Sequence, residues 1–204
     1  MIQSMAKQKG IFCLEGAWEG NLKNNPSVEP LLDLLDQMAT NKRRHVYRDV
    51  GTLEEFDYYL KVVWTQSRYH SHPILYLAFH GVPGGLCVGD QRRQEAVVSL
   101  DHIETLVAGK LKRRIVHFGS CQTLDIHGNR LNHFLTKTKA LAVCGYRKAI
   151  PWTVSAALDL VLFQQLQENA LVVPGVLAAK RKIFAQMGKL ARDLQFTMVV
   201  NRQS

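Results

Sequence analysis

Short apolar runs of strand length alternate along this chain with longer stretches whose apolar positions recur every three or four residues. Residues 10–15 (GIFCLE), 45–50, 74–79 (ILYLAF), 115–118 (IVHF) and 140–144 (ALAVC) are β-branched or aromatic-rich and bounded by turn residues, so each predicts a buried strand. Between them lie helical patterns. Ser27 is placed to cap a helix running to about Thr40, with Leu31, Leu34, Leu35 and Met38 on one face. Thr52 and Glu55 form the T-x-x-E of a capping box, followed by Leu53, Phe56, Leu60, Val63 and Trp64 on one stripe. Ser99 or Asp101 caps a helix through Ile103, Leu106 and Val107 that Gly109 ends. Asn129 caps another, with Leu131, Phe134 and Leu135 inward. Val154, Ala157, Leu158, Val161 and Leu162 define a helix to about Asn169, and Pro174 opens a last one. Residues 196–200 (FTMVV) predict an edge strand.

Strand–helix alternation with connections of this length predicts right-handed parallel crossovers. The expected fold is therefore α/β: a three-layer sandwich, a mostly parallel sheet with helices on both faces, forming one domain over residues 1–204. The pattern breaks only after His80-Gly81. There Leu86-Cys87-Val88 and Ala96-Val97-Val98 predict a hairpin with its tip at Gly89-Asp90.

Composition adds little beyond solubility: hydrophobic residues make up 47% and charged residues 21% of 204. No apolar run approaches the roughly 20 residues that span a bilayer, and the first ten residues hold no signal core, so a cytoplasmic protein without a membrane partner is expected. The four cysteines (Cys13, Cys87, Cys121, Cys144) show neither paired nor zinc-type spacing and should be free thiols. Cys13 and Cys144 lie inside apolar strands and read as packing. The net charge of +9 is spread over short clusters at Lys42–Arg44, Arg92-Arg93, 110–114 and 180–182. No aromatic platform accompanies them, so a solvated basic surface is favoured over a nucleic-acid partner.

The chemistry-bearing pattern is the pair of strand ends ILYLAF-His80-Gly81 and IVHF-Gly119-Ser120-Cys121. Neighbouring parallel strands would bring His80 and Cys121 to one edge of the sheet, where ligands of open α/β sheets gather. A thiol beside an imidazole is a nucleophile with its base. The bland alternative is a core thiol and a histidine satisfied by backbone. Gly81 and Gly119 would let a substrate backbone approach closely, and the amides of Gly81 and Cys121 could receive an oxyanion. His70 and His72 have no acid or thiol beside them in sequence, and read as a surface loop rather than a metal site, as do His127 and His133.

LAFHG, a hairpin, a helix and then IVHFGSCQT resemble the caspase-like cysteine peptidases, a superfamily that includes caspases, metacaspases, clostripain-like enzymes and bacterial CHAT domains. The resemblance covers about residues 10–169, and the 41 residues from His80 to Cys121 compare with roughly 50 in caspases. It implies a caspase-like sheet and a cysteine endopeptidase with His80 and Cys121 as its dyad and a protein or peptide substrate. No metal or organic cofactor is implied. Trp152, after the fifth strand, would line the substrate groove with Thr153 and Gly119, the alternative being a helix-start residue packed on the core. Glu15 would border the primary pocket, favouring a substrate arginine or lysine; the alternatives are that Glu15 and Glu19 are solvated loop acids, or that Arg147 reaches the pocket and restores an acidic preference. Departures matter too. GSCQT replaces the caspase QAC-x-G, Thr153 stands where caspases have an arginine, and Gly119 where metacaspases have an aspartate. The chain's single-domain look is nearest to CHAT-type or other stand-alone bacterial members. That implies an effector of defence or cell death, gated by an activating ligand or partner protein. Two rivals stand beside the peptidase: a catalytically inactive scaffold or partner-binding module, and a flavodoxin-like nucleotide domain. The last lacks a glycine-rich phosphate loop after its first strand.

Overall fold

The computed structural model describes residues 9–19, 23, 26–38, 45–89 and 96–202. The Lys42–Arg44 and Arg92-Arg93 clusters, the position Asp90 at the expected hairpin tip, and the chain's first eight residues lie outside them. Five parallel strands form the core of a six-stranded sheet: β1 (Ile11–Glu15), β2 (His45–Asp49), β3 (Ile74–Ala78), β7 (Ile115–Phe118) and β8 (Ala142–Tyr146). The sixth, β9 (Phe196–Val200), runs antiparallel to β8 at the edge. The order is β2-β1-β3-β7-β8-β9. β1, β3, β7 and β8 are buried along their whole length. Strands covered on both faces must be largely apolar on both, which is why they read as near-continuous apolar runs interrupted only by Glu15 and His117.

Alternate residues of each strand feed two separate cores. Phe12 and Leu14 face Phe56, Leu60 and Trp64 of α2 (Leu53–Asp57, continuing as a wider π-helical turn Tyr58–Trp64), together with α3 (Leu100–Val107) and α4 (Gly128–Thr138). Ile11 and Cys13 face Leu32 and Leu35 of α1 (Glu29–Gln37), together with α5 (Trp152–Glu168) and α6 (Val173–Asp193). This is the expected three-layer α/β sandwich. Cys13 and Cys144 are fully buried, as packing residues should be.

Local expectations met the structure unevenly. The capping box at Thr52 and Glu55 is complete, and Ser99 caps α3. Pro174 lies in the first turn of α6. On α1 Leu35 is buried and Leu31 packs against the core as expected, but Leu32 joins them while Leu34 and Met38 are exposed: four leucines in five positions leave the phase of a short helix open. His127, not Asn129, precedes α4. β8 starts two residues late, because the left-handed Lys139 ends α4 and residues 140–141 are spent reaching the sheet. An additional strand, β4 (His80–Val82), pairs with β5 (Gly85–Cys87), which pairs with β6 (Val97–Ser99), making a three-stranded antiparallel sheet.

Candidate active site

β1 connects outward to β2, whereas β3 connects the other way to β7. The carboxyl ends of β1 and β3 therefore flank the point where the winding reverses, the usual ligand crevice of such sheets. Trp18 follows β1, His80 follows β3 and Cys121 follows β7. The His80 Nε2 lies 2.5 Å from the Trp18 carbonyl oxygen, and the two rings meet edge-on at 5.3 Å. A carbonyl only accepts, so Nε2 carries the proton and Nδ1 is left as the basic nitrogen.

Gly81 brings the two strand ends together. A Cβ at this position would collide with the Cys121 carbonyl and Thr123 Oγ1, and would stand 3.0 Å from Ser120 Cβ. Only glycine lets β4 lie against the Cys121 loop. The loop is itself fixed: Thr123 Oγ1 donates to the Gly85 carbonyl, the Gly84 N–H to the Thr123 carbonyl, and Gln122 takes a left-handed conformation (φ 58°) just after Cys121. On the other side it pairs with residues 146–150, through Leu124 N–H to Tyr146 O and Gln122 N–H to Lys148 O. That pairing brings the Ile150 N–H to the half-buried Cys121 Sγ at 3.4 Å. Among the described residues no hydrogen bond joins His80 to Cys121, and none is donated by the Cys121 N–H.

Trp152 is 40% exposed and Thr153 is exposed at the start of α5, two and three residues after Ile150, which contacts Sγ, so both are open to a ligand. Gly119 is half-buried, and its place is dictated from below: a Cβ there would run into the Tyr76 ring.

Glu15 departs from expectation. It is 2% exposed, and each carboxylate oxygen accepts two hydrogen bonds: Trp18 Nε1 (2.5 Å) and Val28 N (2.8 Å) on one, Ser27 Oγ (2.6 Å) and Tyr47 OH (2.7 Å) on the other. A carboxylate with its lone pairs so filled has none left for a substrate guanidinium. Its visible effect is to hold Trp18, whose carbonyl orients His80. Burial and the adjoining carboxylate push the Tyr47 phenol up, against the opposing Ser27 hydroxyl. Glu15→Gln leaves two donors facing an NH2 group. It is expected to cost about 2 kcal/mol of stability, measured by urea unfolding.

A second polar cluster went unread in the sequence. His117, fully buried on β7, lies 2.7 Å by Nε2 from Oδ1 of Asp159 on α5. The same oxygen accepts from Tyr146 OH (2.5 Å), and Oδ2 from Tyr76 OH (3.0 Å). Burial opposes the imidazolium, but Asp159 and the neighbouring Cys144 outweigh it and raise His117 to about 10. A folded-state value above the unfolded one means the stabilisation is complete below about 6.5 and is lost as pH rises through about 10. Urea midpoints are expected to fall across that window in the native chain and to lose this slope in His117→Gln. An unchanged slope would contradict the ion pair. The signal was an aspartate inside the apolar stripe of α5 and a histidine inside an apolar strand.

Fold and site define an α/β sandwich with a histidine at its topological switch point and a cysteine at the end of the neighbouring strand. The chain belongs to the family of unknown function DUF6642, whose model matches residues 8–199. A comparison with curated proteins gives no match. Solved structures similar to the chain include pro-sf-caspase-1 (13% identity, TM-score 0.47, covering 76% of this chain and 70% of that one) and drICE (13%, TM-score 0.45, 97% and 90%). Likeness of that degree fixes neither activity nor substrate. No described helix is long and apolar enough to cross a membrane, and the described residues hold no cluster of three or more metal-binding side chains.

Proposed function

We propose that the protein is a cysteine endopeptidase with Cys121 as nucleophile and His80 as general acid and base. The observation that carries this reading is the close apposition of Gly81 to Cys121, which sets the strand end bearing His80 against the loop bearing the thiol. Cys121 Sγ attacks the scissile carbonyl while its proton passes to His80 Nδ1, the nitrogen not engaged by Trp18. The oxyanion is received by the Cys121 and Gly81 amides. His80 then returns the proton to the leaving amine as the C–N bond breaks, leaving a thioester. Water, deprotonated by the same nitrogen, releases the acid and restores the thiol. None of these steps calls on a metal or organic cofactor.

The substrate is a protein or peptide whose extended backbone lies beside Trp152 and Thr153, over the strand ends that carry His80 and Cys121. Free thiols at all four cysteines suit a reducing cytoplasm. A peptide library digested by the native chain, with Cys121→Ser as control, tests the reading: cleavage in the first and none in the second is expected, and equal cleavage contradicts it. A dyad of this kind must be restrained in a cell, so an activating ligand or partner protein is expected. Full activity of the purified chain on unfolded protein, with nothing added, would argue against gating.

The second reading is an inactive module that uses the same crevice to hold a partner protein. It is favoured by one observation: Cys121 Sγ contacts the Ile150 backbone rather than His80.

A further inference from the structure

Three residues of the buried Asp159 cluster stand in a fixed relation to the site above them. Tyr76 on β3 is four residues before His80. His117 on β7 is four residues before Cys121, and Tyr146 is four residues before Ile150, whose N–H meets Cys121 Sγ. Tyr76 and His117 are partners in the parallel register, and His117 pairs with Cys144, two residues before Tyr146. All three side chains thus point to one face of three adjacent strands, where a single carboxylate binds them. Tyr76 and His117 also stack, with ring centroids 5.3 Å apart and planes 18° from parallel. Asp159 belongs to α5, whose first residue is Trp152.

We propose that Asp159 is a positioning residue: by binding Tyr76, His117 and Tyr146 at once, it locks the relative height of the strand tips that carry His80, Cys121 and Ile150, and ties them to the helix that starts at Trp152. The inference rests on the peptidase reading for its consequence, not for its geometry. A slip of one residue along a strand moves the backbone about 3.3 Å, more than any of these hydrogen bonds can follow. Parallel ladders are evenly spaced, so the ladder hydrogen bonds alone do little to single out one register. The charged pair and its two phenols supply a contact that only one register satisfies. Their exposure, 0% for His117 and Tyr146 and 2% for Tyr76 and Asp159, leaves no competition from water.

The test compares iodoacetamide alkylation of two half-exposed thiols within one chain, Cys121 and Cys87, each followed by mass spectrometry across pH 5 to 9, beside kcat and KM on a reporter peptide. Cys87 lies on β5, directly opposite His80 but on none of the strands that Asp159 bonds, and reports any loosening on the His80 side. In Tyr146→Phe and Asp159→Asn the Cys121 rate is expected to fall about tenfold, the size of one hydrogen bond to a charged group. The Cys87 rate should stay within twofold, and kcat should fall with KM little changed. Tyr76→Phe, which removes only the longest of the three bonds, should give a smaller loss in the same direction and keeps the test open if Asp159→Asn does not fold. A Cys121-to-Cys87 ratio unchanged in all folded variants overturns the positioning role while leaving the peptidase reading intact. A native chain in which Cys121 reacts no faster than Cys87 overturns the peptidase reading, and the inference with it.

Discussion

Cys121→Ala is expected to abolish hydrolysis while the fold stands. The thiol is half-buried and its hydrogen bonds run to the backbone of Ile150, so its loss removes little packing, well under about 1 kcal/mol. Cys87 stands opposite His80 across β4 and β5, so Cys87→Ala is the control for the second thiol and is expected to keep hydrolysis. Removing the nucleophile of a cooperating set costs on the order of 10^6 in kcat. His80→Ala should fall nearly as far. Cys144→Ala is the contrast. That thiol is fully buried between His117 and the Val116 carbonyl, so its removal should cost about 1–2 kcal/mol in stability with activity per folded molecule largely kept. Thermal melts beside turnover of a fluorogenic peptide separate the two. Equal loss of activity in both variants, at equal stability, would contradict the assignment.

The second large effect is expected at Gly81. An alanine methyl there meets the Cys121 carbonyl and the Thr123 hydroxyl, both anchored, so the nucleophile loop must move away from β4. Displacement of a reacting group by about 1 Å can cost 10^2-fold in rate, and overpacking of this kind costs about 1–3 kcal/mol in stability. Gly81→Ala should therefore lose at least about 100-fold in kcat/KM, beyond what its stability loss explains. Gly109→Ala is the control. Gly109 has φ +72° but open space around it, so the change should strain the backbone by about 1 kcal/mol and leave turnover alone. Gly81→Ala turning over like the native chain would show that the Cys121 loop does not need to abut β4.

The sheet was legible in the sequence because a strand buried on both faces must be largely apolar, as residues 11–14, 74–79 and 115–118, broken only by His117, are. So was the pairing of the His80 and Cys121 strand ends. What could not be read has common physical causes. The groups that contact His80 and Cys121, the Trp18 carbonyl and the Ile150 N–H, are backbone atoms, and every residue carries those. The phase of α1 was ambiguous because its leucines crowd both sides of the helix. Glu15 looked like a pocket acid because it ends a strand at the right edge. Only the fold shows that Ser27, Val28 and Tyr47, from two other segments, converge with Trp18 to fill its lone pairs. His117 and Asp159 hid for the same reason: 42 residues apart, each looks like a polar interruption of an apolar element, and together they form a pair.

The most direct measurement is covalent labelling of the native chain with a peptidyl acyloxymethyl ketone, read by intact mass and by peptide mapping. One label per chain, on Cys121 alone, lost in His80→Ala and blocked by a competing peptide substrate, is the expected result. No labelling, or labelling shared with Cys87 and indifferent to His80, would contradict a working dyad and leave the crevice as a binding surface.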